Sequence, residues 1–337
     1  MNRRLTQVVD FLESHPGYIK WGSRKLAEKL GVSRDEIKAV KKFLGVNTNS
    51  KADYEQFVAD CKEAGIVPIE HIVEEEEIDT TIQLPKILIL DIETAPVKAY
   101  VWRLWKQDVY IDQIISDWFM LTWSAKWLGA DGTMSEKLTT KEALEEDDKR
   151  IVTELWDLLN EADIVIAHNG NSFDIPKIKT RFILHGLPPT TPYQQIDTKV
   201  IAAKEFGFSS NKLDYLGQMF GLGQKIHTEF SLWTGCLQGD PAALEEMRIY
   251  NVQDVILLEK IYLKLRPYIK GHPNVTLYDE RYPDRCPSCG GSHLVEVAHT
   301  YTSVNKFKVF SCLDCGAMSR NRKSVKRVKA TTVSLSR

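Results

Sequence analysis

Ile87-Leu88-Ile89-Leu90-Asp91-Ile92-Glu93-Thr94 is the stretch on which the reading of this chain turns. An aliphatic run of this kind reads as a buried strand. Side chains two apart on a strand share a face, so Asp91 and Glu93 point to the same side. Further along, Ile164-Val165-Ile166-Ala167 is another apolar run, followed by His168-Asn169-Gly170-Asn171-Ser172-Phe173-Asp174. There a strand ends in a polar turn and a helix begins, with Pro176 in its first turn where proline is tolerated. Tyr250-Asn251-Val252-Gln253-Asp254 lies in a helical pattern, and its spacing sets Tyr250 and Asp254 on one face. Four carboxylates converging on one patch repel one another, and divalent cations are the usual remedy. Oxygen-only ligation suits Mg²⁺ or Mn²⁺ rather than zinc.

Taken in order, these motifs resemble those of the DEDD superfamily of 3′–5′ exonucleases. The resemblance is to the tyrosine-bearing subclass, which includes the proofreading domains of family B DNA polymerases. Asp91-Ile92-Glu93-Thr94 is similar to that family's first motif, Asn169 to Asp174 has the spacing of the second, and Tyr250 to Asp254 is similar to the third. The likeness covers about residues 84 to 270. It implies an α/β fold, a ribonuclease H-like mixed sheet with helices on both faces. It implies hydrolysis of phosphodiester bonds with two Mg²⁺ or Mn²⁺ ions, Asp91 bridging both. Glu93 and Asp174 would complete the shells, and Asp254 would hold the ion that carries the attacking water. Tyr250 would orient that water, because a free tyrosine near pKa ~10 is a poor base at neutral pH. Asn169 and Phe173 correspond to substrate contacts, although Phe173 reads equally well as core. His168 reads as a local hydrogen-bonding residue, and Asp197 and Asp214 as caps or loop acids.

No polymerase palm follows, so the resemblance is to a stand-alone exonuclease of the sort found in phages and prophages. The motifs read phosphate and not the sugar. DNA with single-stranded or frayed 3′ ends is the expected substrate, and RNA is the alternative. A non-catalytic nucleic-acid-binding regulator is the reading from outside enzymology, and the intact acid set argues against it. A replication or polymerase partner is a further expectation.

The 337 residues suffice for two or three domains, and 43% apolar with 27% charged residues is ordinary for a soluble protein. No apolar stretch approaches the roughly 18 residues of a membrane span, and no signal-peptide core is evident. The net charge of −2 hides an asymmetry: residues 1–48 carry +5, 49–318 carry −14 and 319–337 carry +7. Basic ends suit a polyanion. Four of the six cysteines form two pairs, Cys286/Cys289 and Cys312/Cys315, each followed by glycine, while Cys61 and Cys236 stand alone. Two such pairs predict a tetrahedral Cys₄ zinc ribbon over 277–318, holding one structural Zn²⁺ with no position left for water. Unpaired cysteines also suit a reducing compartment, so the cytoplasm is the expected location.

Residues 1–48 read as three helices resembling a helix-turn-helix, with Leu26, Leu30, Val32, Ile37 and Val40 as core. Ser33 and Glu36 form a capping box for the last helix, which would expose Arg34, Lys38 and Lys41 to phosphates. A protein-contacting three-helix module is the other reading. Residues 49–83, with Glu74 to Glu77, form an acidic connector. Residues 319–337 form a basic tail in which Lys323, Lys326 and Arg327 are further phosphate contacts. Within the nuclease region, strands are expected at 118–123, 133–138, 164–167 and 195–197, and helices at 146–160, 174–185 and 241–265. Most of Trp102, Trp105, Trp118, Trp123 and Trp127 are expected in the core, with one or two free to stack on unpaired bases.

Overall fold

Strand β1, Ile87–Thr94, alternates its side chains between two cores. Leu88, Leu90 and Ile92 enter one apolar cluster, and Ile87 and Ile89 the other. Burial on both faces follows from the unbroken aliphatic run, since either face left in water would expose branched side chains. The computed structural model describes residues 3–14, 84–106, 108–279 and 283–325, with Leu26, Ala27, Leu30, Ile37 and Arg281. The chain divides into two compact units, Met1–Thr81 and Ile82–Arg337.

In the first unit, α1 spans Arg3–Ser14 and buries Val8, Val9, Phe11 and Leu12. Leu26, Leu30 and Ile37, three of the expected core residues, are buried as well. The helix-turn-helix reading, with Arg34, Lys38 and Lys41, otherwise lies outside the described residues, as does the acidic connector.

In the second unit, β1 is flanked by β4 (Met120–Trp127) and β6 (Ile164–Ala167). With β5 (Met134–Lys137) and β7 (Gln194–Asp197) they form a sheet of order β5-β4-β1-β6-β7. β4 and β5 run antiparallel to their neighbours, while β1, β6 and β7 run parallel. A short ribbon of β2 (Lys98–Ala99) and β3 (Ile114–Ser116) stands apart. β4 begins later than residue 118 because pairing with β1 begins at Met120, opposite Thr94.

Helices cover both faces. On the Leu88/Leu90 side lie α3 (Lys149–Glu161), α4 (Asp174–Leu184) and α7 (Phe230–Leu237). On the other lie α5 (Thr198–Glu205) and α6 (Leu213–Met219). The long α8, Pro241–Leu265, starts on Asp240, whose side chain accepts from the Ala242 amide. Its first half packs in one cluster and its second half in the other. A short α2, Thr140–Glu145, precedes α3 and ends at Glu146 with φ 56°, so the helix expected from 146 starts at Lys149. A capping box of Thr139 and Glu142 opens α2. Buried Asp148 accepts from the Met120 amide and pairs with Arg181 and His185, tying the start of β4 to α4.

Toward the C-terminus, β8 (Leu294–Tyr301), β9 (Lys306–Cys312) and β10 (Met318–Arg320) make an antiparallel sheet of order β10-β9-β8. β10 crosses the expected boundary at 318/319, and the Asn321 and Val325 amides continue to donate to Lys308 and Lys306 carbonyls. The start of the basic tail is therefore part of this sheet. The tryptophans divide unevenly: Trp123 is buried and Trp118 and Trp127 are half-buried, but Trp102 and Trp105 are 94% and 80% exposed. The last two sit in the loop between β2 and β3, away from either core, and are the two of the five that stay out of it.

Candidate active site and cysteine cluster

Asp91 and Glu93 leave the end of β1 on one face, as their spacing requires. Opposite them α8 presents Asp254, and the carboxylate oxygens of Asp91, Glu93 and Asp254 lie within 4.8 Å of one another. Asp174, the first residue of α4, is buried beside this trio and accepts from the Ile92 amide at 3.2 Å. The trio is therefore the tightest part of the predicted acid set, and Asp174 adjoins it.

Burial, reinforced by the neighbouring carboxylates, raises the Asp91 carboxyl well above its ordinary range. Burial likewise lifts Glu93 to about 8 and Asp174 to about 7, and raises Asp254 against the pull of Lys225. Asp254 Oδ1 is buried with no hydrogen-bond partner among the described residues. A dry acid set with an orphaned oxygen fits hard divalent cations, whose oxygen ligands these would be.

Two residues that sequence reasoning missed complete the site. Lys225, in the loop after α6, ion-pairs with Asp254, and its Nζ donates to the Tyr250 hydroxyl at 3.0 Å. Burial opposes the charge on Lys225, but the Asp254 carboxylate and Tyr250 outweigh it and the pKa rises. The loop is held by Asp214, which accepts from the Lys225 amide at 2.9 Å and from Gln218 at 2.8 Å. Asn251 donates to Asp91 Oδ2 at 2.6 Å from the turn of α8 between Tyr250 and Asp254. Lys225 had no signal in the sequence. Asn251 had one, because it stands inside the third motif. Burial raises the Tyr250 hydroxyl above its ordinary value, which opposes a role as base.

Asn169 takes a left-handed conformation with φ 76°, and its side-chain oxygen accepts from Lys199. Asp197 holds this turn through the Asn169 and Asn171 amides and caps α5 through Lys199 and Val200, the cap role expected of it. His168 bridges Thr198 and the Asn211 carbonyl, both at 2.9 Å, and burial lowers it to about 4, so it stays neutral. Phe173 packs partly against the core, with Lys177 Nζ 5.0 Å above its ring.

The four cysteines also meet. Cys286 and Cys315 sulfurs are 3.7 Å apart, as are those of Cys289 and Cys312. That is nearly twice a disulfide bond of about 2.05 Å. It matches the edge of roughly 3.8 Å that a tetrahedron with metal–sulfur bonds of about 2.3 Å requires. Gly290 and Gly316 follow each pair with φ 74° and 78°, where a side chain would be strained, and their amides donate back to Cys286 and Cys312 carbonyls. A hydrogen bond from Cys289 favours the thiolate of Cys286, which falls to about 5. Beside this sheet, Lys308, Arg320, Arg322 and the predicted contact Lys323 line a cleft of about 800 Å³. Lys326 and Arg327 lie outside the described residues. Among the described residues, no helix is long and apolar enough to cross a membrane.

A family model described as the RNase_H superfamily matches residues 128–266, a span that contains Asp174, Tyr250 and Asp254 but not Asp91 or Glu93. No curated protein sequence matches the chain. Among solved structures, the family B DNA polymerase of the hyperthermophilic archaeon Pyrobaculum calidifontis is similar at 16% identity and a TM-score of 0.39. The match covers 65% of this chain and 31% of that polymerase, so the chain spans about a third of its length. The matched segment runs from just after β4 to just past the end of α8, and over that segment the chain is similar to the RNase_H superfamily.

Proposed function

We propose that the chain is a divalent-metal-dependent nuclease that trims DNA from single-stranded or frayed 3′ ends. The observation that carries this reading is the convergence of Asp91, Glu93 and Asp254 within 4.8 Å in a site dry enough to disfavour their charges. Without cations such a cluster is a cost to the fold, and oxygen-only ligands favour Mg²⁺ or Mn²⁺. Asp91, Glu93, Asp174 and Asp254 would hold two such ions. Bound there, they would relieve charge on the attacking and leaving oxygens and supply a nucleophile from water. Tyr250 would orient the water by hydrogen bonding. Lys225 would place a fixed positive charge beside the Tyr250 hydroxyl once Asp254 turns to the metal. The 3′–5′ direction and the tyrosine subclass rest on the three motifs and their order.

The four cysteines would hold one structural Zn²⁺, since their sulfur–sulfur distances fit a tetrahedron and all four positions are thiols. The basic ends, including Lys323, would grip phosphates away from the acidic body. The direct test uses oligonucleotides labelled at either end, in Mg²⁺ or Mn²⁺, as single strands and duplexes of DNA and RNA. Stepwise shortening of 5′-labelled single-stranded DNA, abolished by chelator and by Asp91→Ala, is the expected result. Internal cuts, 5′ trimming or no cleavage would each overturn the reading.

A further inference from the structure

The two cysteine turns touch the nuclease region at the ends of the two elements that carry the acidic trio. Gly290, which closes the first turn, leaves no room for a Cβ against the Leu84 side chain. Leu84 leads into β1, whose other end bears Asp91 and Glu93. Gly316, which closes the second turn, lies against the Pro267 ring, its Cβ position 3.7 Å from Pro267 Cγ. Pro267 belongs to the 3₁₀ turn Arg266–Tyr268 that continues α8, the helix of Tyr250, Asn251 and Asp254. Between these contacts the Val275 amide donates to the Pro287 carbonyl of the first turn at 2.8 Å. Val275 is buried in one cluster with Ile87 and Ile89 of β1 and Tyr262 and Leu265 of α8.

Both elements are stiff. β1 is the middle strand of the five-stranded sheet, and α8 runs unbroken over 25 residues. At about 3.3 Å per residue Asp91 stands roughly 23 Å from Leu84, and at about 1.5 Å per residue Asp254 stands roughly 20 Å from Pro267. The trio closes only where these two rods bring their carboxylates within 4.8 Å, so its geometry depends on the offset of one against the other. Close-packed interiors pass a displacement on and do not absorb it. Each close sulfur pair, Cys286 with Cys315 and Cys289 with Cys312, takes one sulfur from each turn. A metal among the four therefore ties the seat of Leu84 to the seat of Pro267.

We infer that the cysteine turns position the acids: joined by their metal, they set β1 against α8 from the ends opposite the candidate active site. The inference rests on the nuclease reading and on zinc at the cysteines, and it couples two centres whose ligands are chemically unlike. Leu84 and Pro267 are then positioning residues that touch neither cation nor substrate. Without zinc the four sulfurs lose their common partner, the two turns part, and Leu84 and Pro267 lose their seats. The acid site then holds its cations more weakly although every carboxylate is still present.

The test reads Mn²⁺ binding at the acid site of the full chain by calorimetry, with Asp91→Ala as the blank and zinc content from elemental analysis. Cys286→Ser/Cys289→Ser, free of zinc, should bind Mn²⁺ about tenfold more weakly, the low end of what lost support behind metal ligands costs. At saturating Mn²⁺ it should cleave about a hundredfold more slowly, the scale of a displacement of about 1 Å. Should that variant unfold, Leu84→Ala carries the test, at a side chain 48% exposed whose loss does not threaten the fold. It should keep one zinc per chain yet lose Mn²⁺ affinity in the same direction, and Leu84→Met should restore it. A role in stability alone would lower Tm and leave Mn²⁺ affinity where it was. Wild-type affinity in Leu84→Ala or in a folded serine variant would overturn the positioning while cleavage by the wild type still stood, as would a wild-type chain without zinc. A wild-type chain that takes no Mn²⁺ and cleaves no strand would overturn the nuclease reading and the positioning with it.

Discussion

The acidic site and the cysteine cluster are both candidate metal centres, yet they are built on opposite principles. Two of the cysteines come from the turn ahead of β8 and two from the end of β9 and the turn after it, each pair closed by a glycine turn, and all four sulfurs lie within one tetrahedron's reach. The acids come from β1, α4 and α8, and they are assembled by the packing of the whole domain. A closed thiolate set serves stability, because no position is left for water. A buried set of unequal carboxylates, with an orphaned oxygen and a lysine alongside, stores electrostatic cost that bound cations and substrate can release. On the proposed reading, ligand chemistry separates the two roles: one site would hold the chain together and the other would react.

The contrast breaks most sharply at Asp91. Asp91→Ala should lower cleavage roughly a thousandfold or more, since on the proposed reading it would remove a metal ligand and with it several kcal/mol of charge stabilisation. Circular dichroism should show an unchanged fold, and near-normal cleavage would sink the assignment. At the other site, a Cys286→Ser/Cys289→Ser variant should lose about one zinc per chain, read by elemental analysis, and open the β8–β10 sheet to protease. Wild-type protein containing no zinc would end the structural-metal reading.

Lys225→Met should cost about a hundredfold in cleavage rate, the scale of one preorganised electrostatic contact. The same change should raise the affinity for Mn²⁺ measured by calorimetry, because the competing ammonium beside Asp254 is gone. An unaltered rate would make Lys225 a bystander. Smaller still is the pH effect. Glu93 at about 8 and Asp174 at about 7 hold protons in the fold that the unfolded chain has already lost above their ordinary values of 4.5 and 3.8. Metal-free protein should therefore lose stability as pH rises from 5 to 8, read as a falling Tm, and Mn²⁺ should restore it. Glu93→Gln should flatten that slope, and a flat wild-type profile in chelator would contradict the burial of these acids. The smallest effect is at the basic ends. Removing residues 1–48 should lower the salt slope of log affinity by roughly 0.7 to 0.9 for each phosphate that this segment neutralises. An unchanged slope would assign that segment to protein partners.

The sequence by itself determined the ingredients. The aliphatic run to Leu90 with acids two apart, the strand–turn–helix before Asp174 and the helical spacing of Tyr250 and Asp254 placed each motif on the element where it is found. The cysteine spacing predicted a cluster that the structure assembles. These features were legible because side-chain period, capping and turn chemistry act over a few residues, where order along the chain is also nearness in space. Tertiary structure alone decided the rest. Asn251 meets Asp91 across 160 positions, and Lys225 reaches Tyr250 from a loop with no motif of its own. Trp102 and Trp105 stand in water, while Trp118 and Trp233 flank a groove, although nothing local separates one tryptophan from another. Such pairings follow from the packing of α4, α7 and α8 on two faces of one sheet. The free energy that selects them is the burial of apolar surface summed over the domain, which no short stretch of sequence contains.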